Sequence, residues 1–221
     1  MDVLGAAYSA NNITWWENDG DQNFSEHTII DNLNGANSVY AVDMDDDGDI
    51  DVLGTGYLAH DIIWWENDGF QNFSKHTIDG NFSQANSVYA ADMDNDGDID
   101  VLGTANYDND IAWWENNGSQ IFLKKHIIKN DFGGACSVYA ADIDGDGDMD
   151  VLGAASHNDD ITWWENNGKQ KFYQHTIDDN FDGARSVYAA DMDGDGDLDI
   201  LGAASGVGLL DNKISWWEME F

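Results

Sequence analysis

The sequence repeats itself about every 50 residues. The tripeptide Trp-Trp-Glu occurs five times, beginning at Trp15, Trp64, Trp113, Trp163 and Trp216, at intervals of 49, 49, 50 and 53 residues. A period of this length indicates a repeat architecture, in which each unit buries its apolar surface against its neighbours. We predict one domain over residues 1–221, with repeat units at approximately 1–37, 38–86, 87–136, 137–185 and 186–221.

Each unit contains four short segments that favour β-strands. They read Ser-Val-Tyr-Ala-x-Asp, Asp-(Val/Ile)-Leu-Gly, Ile-x-Trp-Trp-Glu and Phe-x-x-His-Thr-Ile, with minor variation. Gly, Asn and Asp clusters separate them, no long helical periodicity is present and Pro is absent. The Asn-Asp-Gly or Asn-Asn-Gly that follows Trp-Trp-Glu favours a tight hairpin into the fourth strand. The repeated histidines, such as His76, suit strand packing better than metal binding.

Four strands in about 49 residues is the size of a propeller blade. The predicted fold is therefore all-β, a β-propeller of four-stranded antiparallel blades, and a solenoid is the rival architecture. Neighbouring tryptophans point to opposite faces of one strand, which suits a blade that is buried on both faces. We predict that the tryptophan pairs form the core between blades and do not stack on sugars.

The terminal units are incomplete. The first unit lacks the Ser-Val-Tyr strand, and the last ends soon after its third strand. We predict five blades with incomplete terminal blades. A segment of a larger propeller, or self-association in which another copy completes these blades, stays open. Two irregularities are also visible: an extra residue within 122–126 predicts a bulge, and the last unit has a longer loop at 205–213.

The motif Asp-x-Asp-x-Asp-Gly-Asp-x-Asp occurs four times, each time between the first and second strands. Carboxylates at positions 1, 3, 5 and 9 can converge if the chain turns sharply at the glycine in position 6, and position 7 would offer its backbone carbonyl. The predicted metal ligands are Asp43, Asp45, Asp47, Asp49, Asp51, Asp92, Asp94, Asp96, Asp98, Asp100, Asp142, Asp144, Asp146, Asp148, Asp150, Asp191, Asp193, Asp195, Asp197 and Asp199.

Converging carboxylates demand a cation. Two like charges about 5 Å apart repel by roughly 3 kcal/mol at an effective dielectric constant of about 20. An all-oxygen ligand set favours Ca²⁺ over Mg²⁺, which prefers fewer protein ligands, and over Zn²⁺, which prefers His or Cys. An EF-hand is excluded because position 12 is Gly, as at Gly54, and a strand follows. We predict about four structural Ca²⁺ ions.

These loops, with the Asp-Val-Leu-Gly that follows, resemble FG-GAP and VCBS repeats. That family includes the calcium-bearing blades of integrin α-subunit propellers and of certain fungal lectins. The resemblance covers nearly the whole chain and implies a calcium-binding propeller of an extracellular or cell-surface protein. One departure is that the Phe-Gly and Gly-Ala-Pro elements are replaced by Leu4-Gly5-Ala6-Ala7 and its counterparts.

The charge excludes two classes of partner. Asp and Glu number 44 against 8 Lys and Arg, which gives a formal net charge of −36. Such a surface repels nucleic acid and anionic lipid, so we expect neither nucleic-acid binding nor membrane insertion. The N-terminal residues lack the pattern of a secretion signal. The single cysteine, Cys136, excludes an intramolecular disulfide, and no positioned base marks it as a nucleophile.

Sequence variation concentrates in two connections, from the second strand to the third and from the fourth to the first. Both should lie on the face opposite the Asp loops, and they are rich in Asn, Asp and Tyr, which suit a carbohydrate or a partner protein. The candidate ligand-binding residues are Tyr8, Asn37, Tyr57, Asn86, Tyr107 and Arg185.

We predict a non-catalytic, lectin-like binding module. The alternatives are the propeller domain of a carbohydrate-active lyase or dehydratase, and a structural or adhesive segment of a larger surface protein. Near-identical repeats argue against catalysis, because an active site needs dissimilar residues that converge once.

Overall fold

A computed structural model describes residues 1–122, 124–206 and 212–221. The bulge predicted within 122–126 and the long loop predicted at 205–213 both lie partly outside the described residues. Among the residues described, no helix has the length and apolar character that crossing a bilayer needs.

In the residues that the structure describes, all regular secondary structure is β. The strands are β1 (Val3–Ala7), β2 (Asn12–Asn18), β3 (Phe24–Ile30), β4 (Ala36–Val42), β5 (Asp51–Gly56), β6 (Asp61–Asn67), β7 (Phe73–Asp79), β8 (Ala85–Ala91), β9 (Asp100–Ala105), β10 (Asp110–Glu115), β11 (Lys124–Lys129), β12 (Ala135–Ala141), β13 (Asp150–Ala155), β14 (Asp160–Asn166), β15 (Phe172–Asp178), β16 (Ala184–Ala190), β17 (Asp199–Ala204) and β18 (Lys213–Trp217). The four segments predicted in each repeat are confirmed as strands.

The strands form five antiparallel sheets, each a simple meander. Their orders are β1-β2-β3, β4-β5-β6-β7, β8-β9-β10-β11, β12-β13-β14-β15 and β16-β17-β18. The register is the same from repeat to repeat: the leucine before glycine lies opposite the first tryptophan, as in Leu53 with Trp64 and Leu152 with Trp163. One sheet per repeat is therefore confirmed, with three strands in each terminal sheet.

The chain forms two compact units, Met1–Val88 and Tyr89–Phe221, and the boundary falls within β8. In the first unit, Ile13, Val52, Ile63 and Trp65 pack in one core cluster. In the second unit, two clusters fill the spaces between the sheets, with Trp113 and Trp164 in one of them. The prediction that the tryptophan pairs form the core is confirmed for the three four-stranded sheets, whereas in the terminal sheets Trp15, Trp16 and Trp217 are half-buried and Trp216 is exposed.

The repeated histidine also belongs to the packing. His76 stacks on the first tryptophan of its sheet, Trp64, at a ring separation of 4.5 Å, and its Nε2 lies 2.8 Å from Glu66. His126 and His175 have the same arrangement in the other two four-stranded sheets, and His27 has it in the first, three-stranded sheet. The predicted packing role of the histidines is therefore confirmed.

The predicted tight hairpin between the third and fourth strands is wrong. β6 ends at Asn67 and β7 begins at Phe73, so five residues connect them. The Asp68 carboxylate accepts backbone N–H groups of Phe70 and Asn72, and the Asp68 N–H donates to the Asn72 carbonyl. The side chain therefore organises a wider loop than a two-residue turn.

Candidate metal centre

Each Asp loop joins the first strand of its sheet to the second, in the three four-stranded sheets and in the last, three-stranded sheet. Its turn is made by the glycine at position 6, whose φ is 93° at Gly48, 98° at Gly97, 95° at Gly147 and 105° at Gly196. This is the left-handed region, which favours glycine because other residues meet their own Cβ there. The predicted role of this glycine is confirmed.

The aspartate at position 9 anchors the loop. Asp51 accepts the Asn67 N–H at 2.7 Å with one oxygen and the Met44 N–H at 3.1 Å with the other. Asp100 makes the matching bonds to Asn116 and Met93. Because Met44 and Met93 occupy position 2 of their loops, this buried carboxylate links the loop to the end of the third strand.

The carboxylates at the loop tips converge. In three loops, oxygens from positions 1, 3 and 5 lie within 4.8 Å of one another, and in the fourth loop positions 1, 3 and 9 do so. The groups are Asp43, Asp45 and Asp47; Asp92, Asp94 and Asp96; Asp142, Asp144 and Asp146; and Asp191, Asp193 and Asp199. The sequence placed all of these residues in metal sites.

The remaining predicted ligands lie beside these groups. At position 9, Asp51, Asp100 and Asp150 hold backbone N–H groups. At position 7, one oxygen of Asp148 accepts the Asn95 side-chain amide at 2.7 Å, and one oxygen of Asp197 accepts the Phe221 N–H. The proposed role of position 7, through its backbone carbonyl, stays a prediction.

The clusters contain carboxylate oxygens that lack a donor. In the described part of the chain, Oδ1 of Asp45, of Asp94 and of Asp142 is buried without a hydrogen-bond partner. A buried polar atom without a partner carries a desolvation cost of about 1–3 kcal/mol, and more when it is charged. Three loops with the same kind of unpaired oxygen fit a hard cation at the point where the carboxylates meet.

The electrostatics agree with the geometry. Burial raises the pKa of Asp45, Asp94 and Asp144 above the usual value, and neighbouring carboxylates raise it further. Burial likewise raises the pKa of Asp100 and Asp150 to about 7, against the hydrogen bonds from backbone N–H groups. Burial and the neighbouring carboxylates therefore disfavour the ionised form of these side chains.

Residues from the adjacent sheet support the loop, and sequence analysis missed them. In the second unit, Gln170 donates its side-chain amide to Asp94 at 3.0 Å, and Asn166 donates to the Met93 carbonyl at 3.2 Å. Both come from the β14–β15 hairpin region, whereas the loop belongs to the preceding repeat. Their recurrence as Asn-x-x-x-Gln in every complete repeat was the available signal.

The two kinds of variable connection contact each other. Within the first unit, the Leu33 N–H donates to Asn11, and the Tyr57 N–H donates to Gly35, so the two kinds of connection pack together. Tyr8 and Tyr57 approach with ring centroids 5.9 Å apart.

The other candidate ligand residues are placed differently. The Asn37 side chain donates to the backbone carbonyl and the side-chain oxygen of Asn86, both at 2.8 Å, and so contacts the neighbouring strand. In the second unit, Tyr107 and Arg185 are exposed. Cys136 is buried, and burial raises its thiol pKa to about 11, which does not suit a nucleophile.

Comparison with known proteins shows the family. The FG-GAP-like repeat model matches residues 1–54, 43–103, 93–153 and 146–202. No curated protein sequence matches the chain significantly.

Solved structures show the fold. A chain of the nidogen/laminin complex is 9% identical with a TM-score of 0.62, over 93% of this chain and 71% of that one. A streptogramin B lyase is 14% identical with a TM-score of 0.65, over 100% and 66%. The V. cholerae biofilm matrix protein Bap1 is 20% identical with a TM-score of 0.55, over 98% and 34%. The first two have propeller folds.

The chain thus spans about two thirds of the lyase and one third of Bap1, and at these identities the likeness concerns the fold alone. Four matched repeats cover nearly all of the residues, and each contains an Asp loop. The chain therefore belongs to the FG-GAP-like repeat family and has an all-β, propeller-type fold of antiparallel sheets.

Proposed function

We propose that this chain is a non-catalytic binding module, a five-bladed β-propeller with incomplete terminal blades that is stabilised by calcium. The five sheets would serve as the blades, and each Asp loop would hold one ion. The observation that carries the calcium assignment is the repeated cluster of carboxylates with a buried, unpartnered oxygen in three of the four loops.

The ligand set supports calcium over other metals. The aspartates at positions 1, 3 and 5 would hold the ion, with position 9 beside them and the position 7 carbonyl as a further oxygen ligand. Every side chain in these clusters that could bind a metal is a carboxylate, which suits a hard cation and does not suit zinc. When bound, the ion would supply positive charge that offsets the repulsion and fixes the first strand to the second.

Asp94→Asn tests this assignment at one loop. We expect calcium affinity at that loop to fall at least about ten-fold, since a charged ligand is replaced by a neutral amide. In EGTA the same variant should be as stable as the wild type or more stable, because one carboxylate leaves a crowded cluster. Calorimetric titration and thermal unfolding with and without calcium measure both effects.

Asp182→Asn is the matched control. Asp182 is exposed in a connection outside the loops, so its replacement removes the same charge without touching a cluster. It should leave calcium binding unchanged. Equal calcium affinity in the Asp94 and Asp182 variants would contradict the loop assignment.

We propose a carbohydrate or a partner protein as the ligand, bound through the variable connections. In the first unit, Tyr8 is exposed beside Tyr57, and the Tyr57 hydroxyl donates to the Gln84 side chain at 2.7 Å. An aromatic surface flanked by amide groups suits the apolar face and the hydroxyls of a sugar. The family is typical of extracellular proteins, so we place the module outside the cell or at its surface.

Tyr8→Ala tests the binding face. Binding to a glycan array, and to an extracellular protein library in parallel, should weaken several-fold for the ligand found, since Tyr8 is exposed and its loss should not unfold the sheet. Phe70→Ala is the control, because Phe70 is exposed in the hairpin on the Asp-loop side. A ligand that responds only to the Phe70 change would contradict the proposed face.

A catalytic domain is the runner-up, on the strength of the fold likeness to a streptogramin B lyase. It would require a set of dissimilar residues that converge once, whereas the aspartate clusters described above recur as equivalent sites. A structural or adhesive segment of a larger surface protein is the third candidate. In that case calcium binding would be retained and no ligand would respond to Tyr8→Ala.

A further inference from the structure

A groove lies in the first unit between sheet β1-β2-β3 and sheet β4-β5-β6-β7. Its volume is about 370 Å³. Its apolar walls include Val3 and Trp15 from the first sheet and Val52 from the second. The polar residues Asp2, Asn67 and Gln71 also line it. Val3 is 49% exposed, although the equivalent Val101 and Val151 of the second unit are fully buried.

The equivalent space in the second unit is filled. It lies between strands β9, β10 and β11 on one side and sheet β12-β13-β14-β15 on the other, where Met93 packs with Trp113 and Val151. Met93 is 1% exposed and occupies position 2 of its Asp loop, just after the first strand of its sheet. The space between two neighbouring sheets therefore accommodates a first strand and the beginning of its Asp loop.

Three polar contacts hold that loop in the second unit. Asn166 donates to the Met93 carbonyl, Gln170 donates to the Asp94 carboxylate, and the Met93 N–H donates to Asp100 at 2.9 Å. The groove of the first unit has the same three groups at the matching repeat positions: Asn67 for Asn166, Gln71 for Gln170 and Asp2 for Asp100.

Asp2 already makes half of the expected contacts. One of its oxygens accepts the Asn18 N–H at 3.0 Å, just as Asp51 accepts the Asn67 N–H at 2.7 Å. In the complete loops, the second oxygen of this aspartate accepts the N–H of position 2. The groove therefore presents the acceptor, the two amide donors and the apolar walls that an arriving loop needs.

We propose that this groove binds a strand-and-loop segment of the repeat type, Ser-Val-Tyr-Ala-Ala-Asp-Met-Asp-x-Asp-Gly-Asp, supplied by an FG-GAP-like repeat outside residues 1–221. The strand pairs with the free edge of β1, the residue at position 2 enters the groove, and Asp2 serves as position 9 of the completed loop. The aspartates of the segment would meet Asp2 in the groove. Binding is therefore expected to require calcium, a point that rests on the calcium assignment proposed above.

A second copy of the chain is not the occupant. Each of its four segments of this type is already the first strand of a sheet: β4 pairs with β5, β12 with β13 and β16 with β17, and β8 is beside β9. Donating one of them would open a folded sheet. A segment from another repeat that is not yet paired with a strand could bind without opening a folded sheet.

A synthetic peptide with the sequence of residues 184–198 tests the proposal. It contains the strand and loop positions 1 to 8, and it is titrated into the intact 221-residue protein in millimolar calcium. We expect saturable binding with one peptide per chain, and binding at least ten-fold weaker when the peptide carries aspartate in place of its methionine. No binding to a protein that unfolds cooperatively would overturn the proposal.

Two protein variants locate the site. Gln71→Ala and Val3→Lys should each weaken peptide binding at least ten-fold, and both positions are exposed enough to leave the fold intact, which thermal unfolding checks. Ser9→Ala, in an exposed connection, should not change binding. If the free protein is a dimer that the peptide dissociates, a second copy fills the groove and the proposed source of the segment is wrong.

Discussion

Chelation of calcium with EGTA is expected to lower the midpoint of thermal unfolding by about 20 °C or more. A ligand present at 100 times its dissociation constant stabilises a protein by about 2.7 kcal/mol for each site, so four occupied loops would contribute about 11 kcal/mol. For a chain of 150–250 residues, each kcal/mol shifts the midpoint by about 2–4 °C. The four carboxylate clusters are the reason for expecting so large a change.

Two controls separate this effect from general screening of charge. Sodium chloride at matched ionic strength should recover little of the lost stability, because the carboxylate oxygens within each cluster are too close for a diffuse ion cloud to screen. Magnesium should recover only part of it, because it keeps much of its water shell. An unchanged midpoint in EGTA, or full recovery with sodium chloride alone, would contradict specific calcium sites.

Replacing a buried tryptophan should produce the second large effect. Trp113→Ala is expected to lower the free energy of unfolding by about 3–5 kcal/mol, since a large side chain is removed from a packed space. Trp113 is fully buried, and it stacks on His126 with ring centroids 4.1 Å apart. Urea unfolding in the presence of calcium measures the change.

Trp216→Ala is the matched control. Trp216 holds the same position in the last repeat, but its sheet has three strands, and the side chain is 45% exposed. Its replacement should cost less than half as much as that of Trp113. Equal losses would mean that the covering fourth strand contributes little to burial, contrary to the packing described.

Most of the fold could be predicted because one pattern recurs five times. The adjacent tryptophans, such as Trp64 and Trp65, indicated a strand buried on both faces, and both are buried. The Asp loops were equally predictable, because the spacing of Asp92, Asp94 and Asp96 and the glycine that makes the turn all lie within one short segment of the chain.

Contacts between repeats could not be read in the same way. The role of Gln170 depends on the loop that contains Asp94, 76 residues earlier in the chain, and spacing within one repeat does not reveal that partner. The hairpin prediction failed because the side chain of Asp68 binds two backbone N–H groups and widens the turn. The local sequence favours a two-residue turn, but the hydrogen bonds to the Asp68 side chain stabilise a five-residue loop instead.

The candidate ligand residues show a similar limit. Asn37 was selected because its position varies between repeats, yet its amide contacts the neighbouring strand at Asn86. Variation at a sheet edge can thus accompany packing between repeats as well as recognition. Tyr8 and Tyr57, in contrast, are brought together on the predicted face, which is why the binding test relies on Tyr8.

We propose above that divalent cations occupy the four Asp loops. Crystals grown with calcium, measured at a wavelength where calcium scatters anomalously, test it most directly. We expect one anomalous peak at each triad, within bonding distance of the oxygens of Asp45, Asp94 and Asp142 that lack a hydrogen-bond partner. Well-ordered loops without anomalous density in millimolar calcium would contradict it.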